Sequence, residues 1–288
     1  MKLSLGFSTC PNDTFIFDAI VNKRIDLEGL SFDFLITDVE YLNKQISTSS
    51  LDISKISYHA FAYVSEYYKI LDSGSALGFN NGPLFICKNQ ELISKLPYLR
   101  IAIPGKFTTA NLLFSIAYPD AQNKHEYVFS EIENAINAQE VDAGVIIHEN
   151  RFTYHERGFT KILDLGEYWN QISNLPIPLG GIVIKNTIPL EVRHTFNRVL
   201  RRSIEFAFNN PTVSKDYIKN YAFDMNDEVI SKHINLFVNE FSVYLGDTGR
   251  NAIKTLYSYA IKNEVIPDFD INTIFLPNLI FYFFLFKI

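Results

Sequence analysis

The chain has only two cysteines, Cys10 and Cys87, in 288 residues, and neither lies in a CxxC or Cys/His ligand spacing. That excludes a disulfide framework and leaves no zinc signature. Positive charge is also scarce. The formal net charge is −6, which argues against a general nucleic-acid surface. The one dense basic run, Arg198 to Arg202, falls in a helical pattern and reads as a solvated face. Near the N-terminus, Ser4, Ser8, Asn12 and Asp13 interrupt any apolar core of signal-peptide length, so a cytoplasmic protein with reduced thiols is expected. No transmembrane span is expected either. The most apolar stretch, Leu279 to Ile288, would extend about 15 Å as a helix, against a hydrocarbon core of about 30 Å. It is read as packing on the body or on a partner subunit, which leaves a homo-oligomer open. There is no internal repeat, no low-complexity linker and no GxxxxGK(S/T) spacing, which sets nucleoside triphosphates aside.

What is present is an alternation of short apolar runs with helix-period segments, the pattern of an α/β protein with a largely parallel sheet. Strands are expected at Leu3–Phe7, Phe32–Ile36, Leu51–Ile56, Pro83–Cys87, Arg100–Ile103, Tyr127–Phe129 and Val141–Ile147. Helices are expected from Thr14 to Val21 with Asn12 or Asp13 as cap, from Val39 to Ile46, and through the aromatic-rich stretch ending at Leu71. Two more cover Thr109–Ala117 and Glu131–Ala138. From Pro189 onward the pattern is helical only. A length of 288 residues fits two domains, and 47% hydrophobic residues suffice for their cores. The expected partition is a discontinuous larger domain, 1–92 and 186–288, with 93–185 inserted. Pro176, Pro178, Gly180 and Gly181 would form a hinge on the return crossing, and the ligand cleft would lie between the lobes.

Asp142-Ala-Gly-Val-Ile-Ile-His148-Glu149 is the most informative segment: a buried strand that ends on an imidazole. Ligands of open α/β sheets collect outside the carboxyl ends of strands, and an imidazole titrates near pH 6.5, close to the working range of a general base. The plainer reading is a histidine that caps a strand. Glu149, next along the strand, would point to the opposite face. Three loops could present donors to an anion. Ser8 to Thr14 contains Asn12 and Asp13, with Cys10 as a secondary candidate nucleophile. Ile103 to Ala110 places Thr108 and Thr109 after a glycine turn. Asp52 to His59 offers Ser54, Ser57 and Lys55, the last as a point charge for an acid group. A fourth loop, Gly74 to Pro83, is glycine-rich and contains Asn80. His125, His155, His194 and His233 read as surface residues, His59 as structural, and Glu131/Glu133 as a solvated acid pair. Read from residues alone, the ligand is a small anionic organic molecule.

Ser8-Thr-Cys-Pro-Asn-Asp-Thr-Phe15, Gly74-Ser-Ala-Leu-Gly78, Ile103-Pro-Gly105 with Thr108-Thr109, and Asp142 to Glu149 occur in order. Arg151-Phe-Thr-Tyr154, Asp164-Leu-Gly166 and Pro176-Ile-Pro-Leu-Gly180 continue the series. Together they resemble the 1,4-dihydroxy-6-naphthoate synthase family of the futalosine route to menaquinone, over residues 1 to about 270. The resemblance implies a two-lobed, type II periplasmic-binding-protein-like fold, with mixed sheets flanked by helices and a helical C-terminal segment. It implies a carbon–carbon lyase that cleaves cyclic dehypoxanthinylfutalosine to 1,4-dihydroxy-6-naphthoate with loss of the sugar-derived part, using no metal or organic cofactor. The family's essential histidine falls on His148 as general base. Thr108 and Thr109 match hydroxyls that hold the substrate, and the Ser54–Ser57 segment a second holding site. The alternatives are a chorismate dehydratase-like enzyme of the same pathway and a non-catalytic binder of small carboxylates.

Overall fold

The computed structural model describes residues 1–79, 81–148, 150–222 and 225–277. Asn80, Glu149 and the apolar tail after residue 277 lie outside the described residues.

Strand β1 (Lys2–Ser8) buries Leu3, Leu5 and Phe7 as its alternation predicts. Helix α1 (Pro11–Val21) begins three residues later with Pro11 in its first turn, where the missing N–H costs nothing. Its N-cap is Cys10, which makes no side-chain cap bond, so Asn12 and Asp13 are first-turn residues instead of caps. Then come β2 (Ser31–Thr37), α2 (Val39–Ser47) capped by Asp38, and β3 (Ile53–Ser57). The expected long aromatic helix is only one turn, α3 (Tyr58–Phe61), followed by β4 (Tyr68–Ile70) and β5 (Ala76–Gly78). Tyr58, Phe61 and Tyr68 are fully buried, so the aromatics serve the core of a turn-rich segment without helical periodicity.

A second series comprises β6 (Leu84–Cys87), β7 (Ile101–Ile103), α4 (Thr109–Ala117), β8 (Lys124–Glu126), α5 (Ile132–Asn137) and β9 (Ala143–Ile146). It continues through α6 (Asn150–Thr153), β10 (Thr160–Asp164) and α7 (Leu165–Ser173) to β11 (Ile177–Lys185). The strand expected at Tyr127–Phe129 forms earlier, as β8. The remainder is helical as expected: α8 (Leu190–Asn209), α9 (Lys215–Lys219), α10 (Asp227–Phe237), α11 (Glu240–Val243) and α12 (Gly246–Lys262).

The strands form two mixed sheets. The first has the order β2-β1-β3-β11-β4, with β5 also on β11; the second is β10-β6-β9-β7-β8. In each, parallel pairs around one strand are closed by antiparallel partners: β11 in the first, β6 in the second. These memberships move the boundaries expected at 92/93 and 185/186. β6 pairs with β9 in the second sheet, so the outward crossing lies between Gly78 and Leu84. β11, expected as a hinge, is a nine-residue strand of the first sheet that absorbs Pro178 at a register shift. At the outward crossing a Cβ on Gly82 would lie 2.2 Å from the Gly166 nitrogen, a backbone approach that only glycine allows.

One hydrophobic cluster, including Tyr58, Phe61, Phe85, Phe114, Trp169 and Tyr257, joins the two sheets along one side. Separate clusters fill the far face of each sheet. A cavity on the other side is lined by residues of both.

Candidate active site

The cavity measures about 720 Å³, counting the space open at its mouth. β9 ends at Ile146, and His148 follows with φ of +59°, a left-handed conformation in which histidine is over-represented. The backbone turn places the imidazole on the cavity wall. Phe129 meets the ring edge-on at 4.8 Å, and the His233 ring lies nearly parallel at 5.9 Å. The Cys10 sulfur approaches both ring nitrogens, at 3.6 and 3.7 Å.

Behind this imidazole runs a buried polar chain. Lys55 Nζ donates to Asp13 Oδ1 at 2.8 Å, and both residues are buried. Asp13 also accepts from the Ser8 amide, the Ser8 hydroxyl and the Asn12 side chain. Four donors on one carboxylate explain how it stays in the interior, where a charge needs both a partner and hydrogen bonds. Because the Asn12 amide nitrogen donates to Asp13, its oxygen is the acceptor for His233 Nε2, at 3.0 Å. That fixes the His233 tautomer with the proton on Nε2. Burial, with His148 and Lys55 nearby, holds the His233 imidazole well below its ordinary pKa, so it stays neutral.

Other lining residues supply donors. Thr108 caps α4, accepting from the Asn111 amide and donating to the Gly105 carbonyl. The next two amides, of Thr109 and Ala110, are N-terminal donors of the kind a helix leaves for an anion, and both residues line the cavity. The Thr109 hydroxyl donates to the Leu179 carbonyl of β11 at 2.5 Å, which ties the second sheet's helix to the first sheet. Ser57 accepts from Asn43 at 3.1 Å, so its own hydroxyl proton is available to a ligand. Glu40 closes the same seam: its carboxylate accepts from the Phe107 amide at 3.1 Å and from Asn43. Gly105 is required there, since its φ is +143° and a Cβ would meet the Glu40 carboxyl at 2.5 Å.

The cavity therefore gathers His148, Asn12, Asp13, Lys55, Ser57, Thr108 and Thr109 from the expected site. Lys55 reaches it with its charge paired to Asp13, so it is not the isolated point charge expected. Ser54 does not line it. Its side chain lies on the other face of β3 against Gly6, and its hydroxyl donates to the Lys55 carbonyl. His233, Asn81 and Arg151 also line the cavity and are not among the expected site residues. His233, read as surface, is 1% exposed. Ile230, His233 and Phe237 form the buried i, i+3, i+7 stripe of α10, and that spacing was the available signal. Arg151 forms a buried ion pair with Asp164 at 3.3 Å and bonds the Gly82 carbonyl. His59 is buried and structural as expected, bonding the Thr108 carbonyl. His125 and His155 are exposed as expected, while His194 is half-buried on the Pro277 carbonyl. Glu133, read as solvated, is buried against Arg157. Among the described residues no group of three or more His, Cys, Asp or Glu side chains is placed to hold a metal ion, and no helix is long and apolar enough to cross a membrane.

Residues 3–262 match the family model described as menaquinone biosynthesis. A Thermus thermophilus protein named 1,4-dihydroxy-6-naphthoate synthase is 38% identical over 258 residues, covering 90% of this chain and 93% of that protein. A crystal structure of an Archaeoglobus fulgidus protein superposes with a TM-score of 0.87 at 32% identity, over 92% of this chain and 98% of the other. A Candida albicans protein described as having the generic periplasmic binding protein fold matches with a TM-score of 0.68 at 13% identity, over 95% and 93% of the two chains. At that identity the likeness concerns the fold, which for this chain is periplasmic-binding-protein-like.

Proposed function

Because the chain belongs to the menaquinone biosynthesis family, we propose that it is a cofactor-independent carbon–carbon lyase acting on cyclic dehypoxanthinylfutalosine. The product is 1,4-dihydroxy-6-naphthoate, and the reaction takes place in the cytoplasm. The observation that carries this reading is the composition of the cavity lining: an imidazole, His148, together with the hydroxyl of Ser57 and the first amides of α4.

In this reading His148 takes a proton from the substrate. The carbon–carbon bond to the sugar-derived part breaks, and negative charge collects on a carbonyl oxygen of the ring system. A positioned base contributes about 10²–10⁴-fold, and donors fixed in a water-poor site stabilise the developing oxyanion without reorganising. The α4 N-terminus is the natural seat for a carboxylate, since its open amides and its dipole both favour an anion. The two sheets act as lobes whose approach orients the substrate, with the Thr109–Leu179 and Glu40–Phe107 bonds as contacts across the seam.

The test is incubation of the purified protein with cyclic dehypoxanthinylfutalosine, wild type beside His148→Ala, with the naphthoate product followed by mass. Product from the wild type and a loss of at least about hundredfold in the variant, with substrate still bound, is the expected result. Equal turnover by the variant would remove His148 from the mechanism. A folded wild type that binds the substrate and returns it unchanged would mark a small-carboxylate binder.

A further inference from the structure

Two buried acceptors on residues that line the cavity have no donor among the described residues: Asn81 Oδ1 and His233 Nδ1, each on a side chain 1% exposed. Their identity as acceptors follows from their neighbours. Asn81 Nδ2 donates to the Leu236 carbonyl near the end of α10, which leaves the amide oxygen turned away from it. His233 Nε2 carries the proton given to Asn12, and neutral imidazole then has a bare lone pair on Nδ1. Buried acceptors are nearly always paired, so two on residues lining one cavity call for donors brought by a ligand. Both acceptors are neutral, and the carboxylates Asp13 and Asp164 are already paired with Lys55 and Arg151, so nothing here calls for a cationic donor. Neutral hydroxyls meet the requirement.

We propose that Asn81 and His233 form a polyol subsite that receives the hydroxyls of the sugar-derived part of the substrate. This rests on the function proposed above and adds an orientation to it. The polyol lies along α10, the carboxylate lies at the N-terminus of α4, and the bond to be broken lies between them beside His148. The subsite also explains why Asp13 and Asn12 are so fully bonded. They lock the tautomer that leaves His233 Nδ1 as an acceptor.

The test compares a ligand that carries the polyol with one that lacks it. KM for cyclic dehypoxanthinylfutalosine and the inhibition constant of 1,4-dihydroxy-6-naphthoate are measured for wild type, Asn81→Leu and His233→Phe, with thermal melting as a check on folding. Each substitution should raise KM roughly tenfold to hundredfold while leaving the naphthoate inhibition constant within about threefold. Equal weakening of both ligands, or of neither, would overturn the subsite while leaving the lyase reading intact. If Asn81→Leu does not fold, Asn81→Ala gives the same comparison with a smaller change. A wild type that neither turns over nor binds the substrate would overturn both proposals together.

Discussion

The Cys10 sulfur stands almost equidistant from the two ring nitrogens of His148, at 3.6 and 3.7 Å. The lone pair or N–H of each nitrogen points outward in the ring plane, away from the other nitrogen. A sulfur at nearly equal distance from both cannot lie along either direction, so no aligned thiol–imidazole hydrogen bond exists. The thiol packs on the ring and helps fix its plane. Cys10→Ser is therefore expected to keep kcat within about threefold, because a base-activated nucleophile would lose far more. A loss of hundredfold or greater, with naphthoate binding intact, would restore Cys10 as a nucleophile.

Asp13 and Lys55 form an ion pair with almost no solvent contact. Asp13→Asn should be destabilising by about 3–5 kcal/mol, because it leaves the Lys55 ammonium buried without its counter-charge. A drop in Tm of roughly 10 °C is the expected reading. Adding Lys55→Met should recover part of it, since the unpaired charge is then gone. A double variant that melts lower than Asp13→Asn would show that the pair is not what Asp13 sustains.

Much of this arrangement was legible from local pattern. Leu3, Leu5 and Phe7 announced β1 by period two, and the paired threonines after Gly105 announced an α4 N-terminus with open donors. His148 stood out as an ionisable side chain at the end of an apolar strand. What stayed hidden depends on separations the sequence does not encode locally. His233 meets Asn12 across 221 positions because α10 packs on α1, and Lys55 meets Asp13 across 42 because β3 lies beside β1. The outward crossing was misplaced because β6 reads the same whichever sheet it joins. Only its pairing with β9 decides that.

His59 is buried, and desolvation lowers its pKa from 6.5 to about 4. The folded protein therefore binds fewer protons there than the unfolded chain between those values. The neutral ring's stabilising advantage is complete above pH 6.5 and is lost as pH falls toward 4, by an amount on the order of 3 kcal/mol. His59→Asn keeps a donor for the Thr108 carbonyl and removes the titration. Its stability should fall less than that of the wild type over this window. Parallel curves, followed by denaturant unfolding at each pH, would count against His59 as a contributor to acid lability.

Glu40 has the opposite sign. Burial raises its carboxyl above the ordinary 4.5, against the lowering effect of its bonds to Asn43 and Phe107. The folded state then holds this proton more tightly than the unfolded chain. Stability present below pH 4.5 is lost as pH rises through the raised value. The stability of Glu40→Gln relative to wild type should improve with pH across that interval, whatever its offset at low pH. A relative stability that declines instead would mean that the Phe107 and Asn43 bonds outweigh burial.

The Thr109 hydroxyl has one proton, and in this structure it goes to the Leu179 carbonyl. A carboxylate only accepts, so to hold one the hydroxyl must turn its proton away from that carbonyl, and a seam role separates from a substrate role experimentally. Thr109→Val preserves shape and removes the donor, while Thr109→Ser restores it with less bulk. Loss of the seam bond alone should lower stability by about 1 kcal/mol and leave KM nearly unchanged. A role in holding substrate adds a rise in KM of roughly tenfold in Thr109→Val, reversed in Thr109→Ser. The second pattern is expected, because the hydroxyl lines the cavity beside the open amides of α4, where a carboxylate would bring an acceptor within reach.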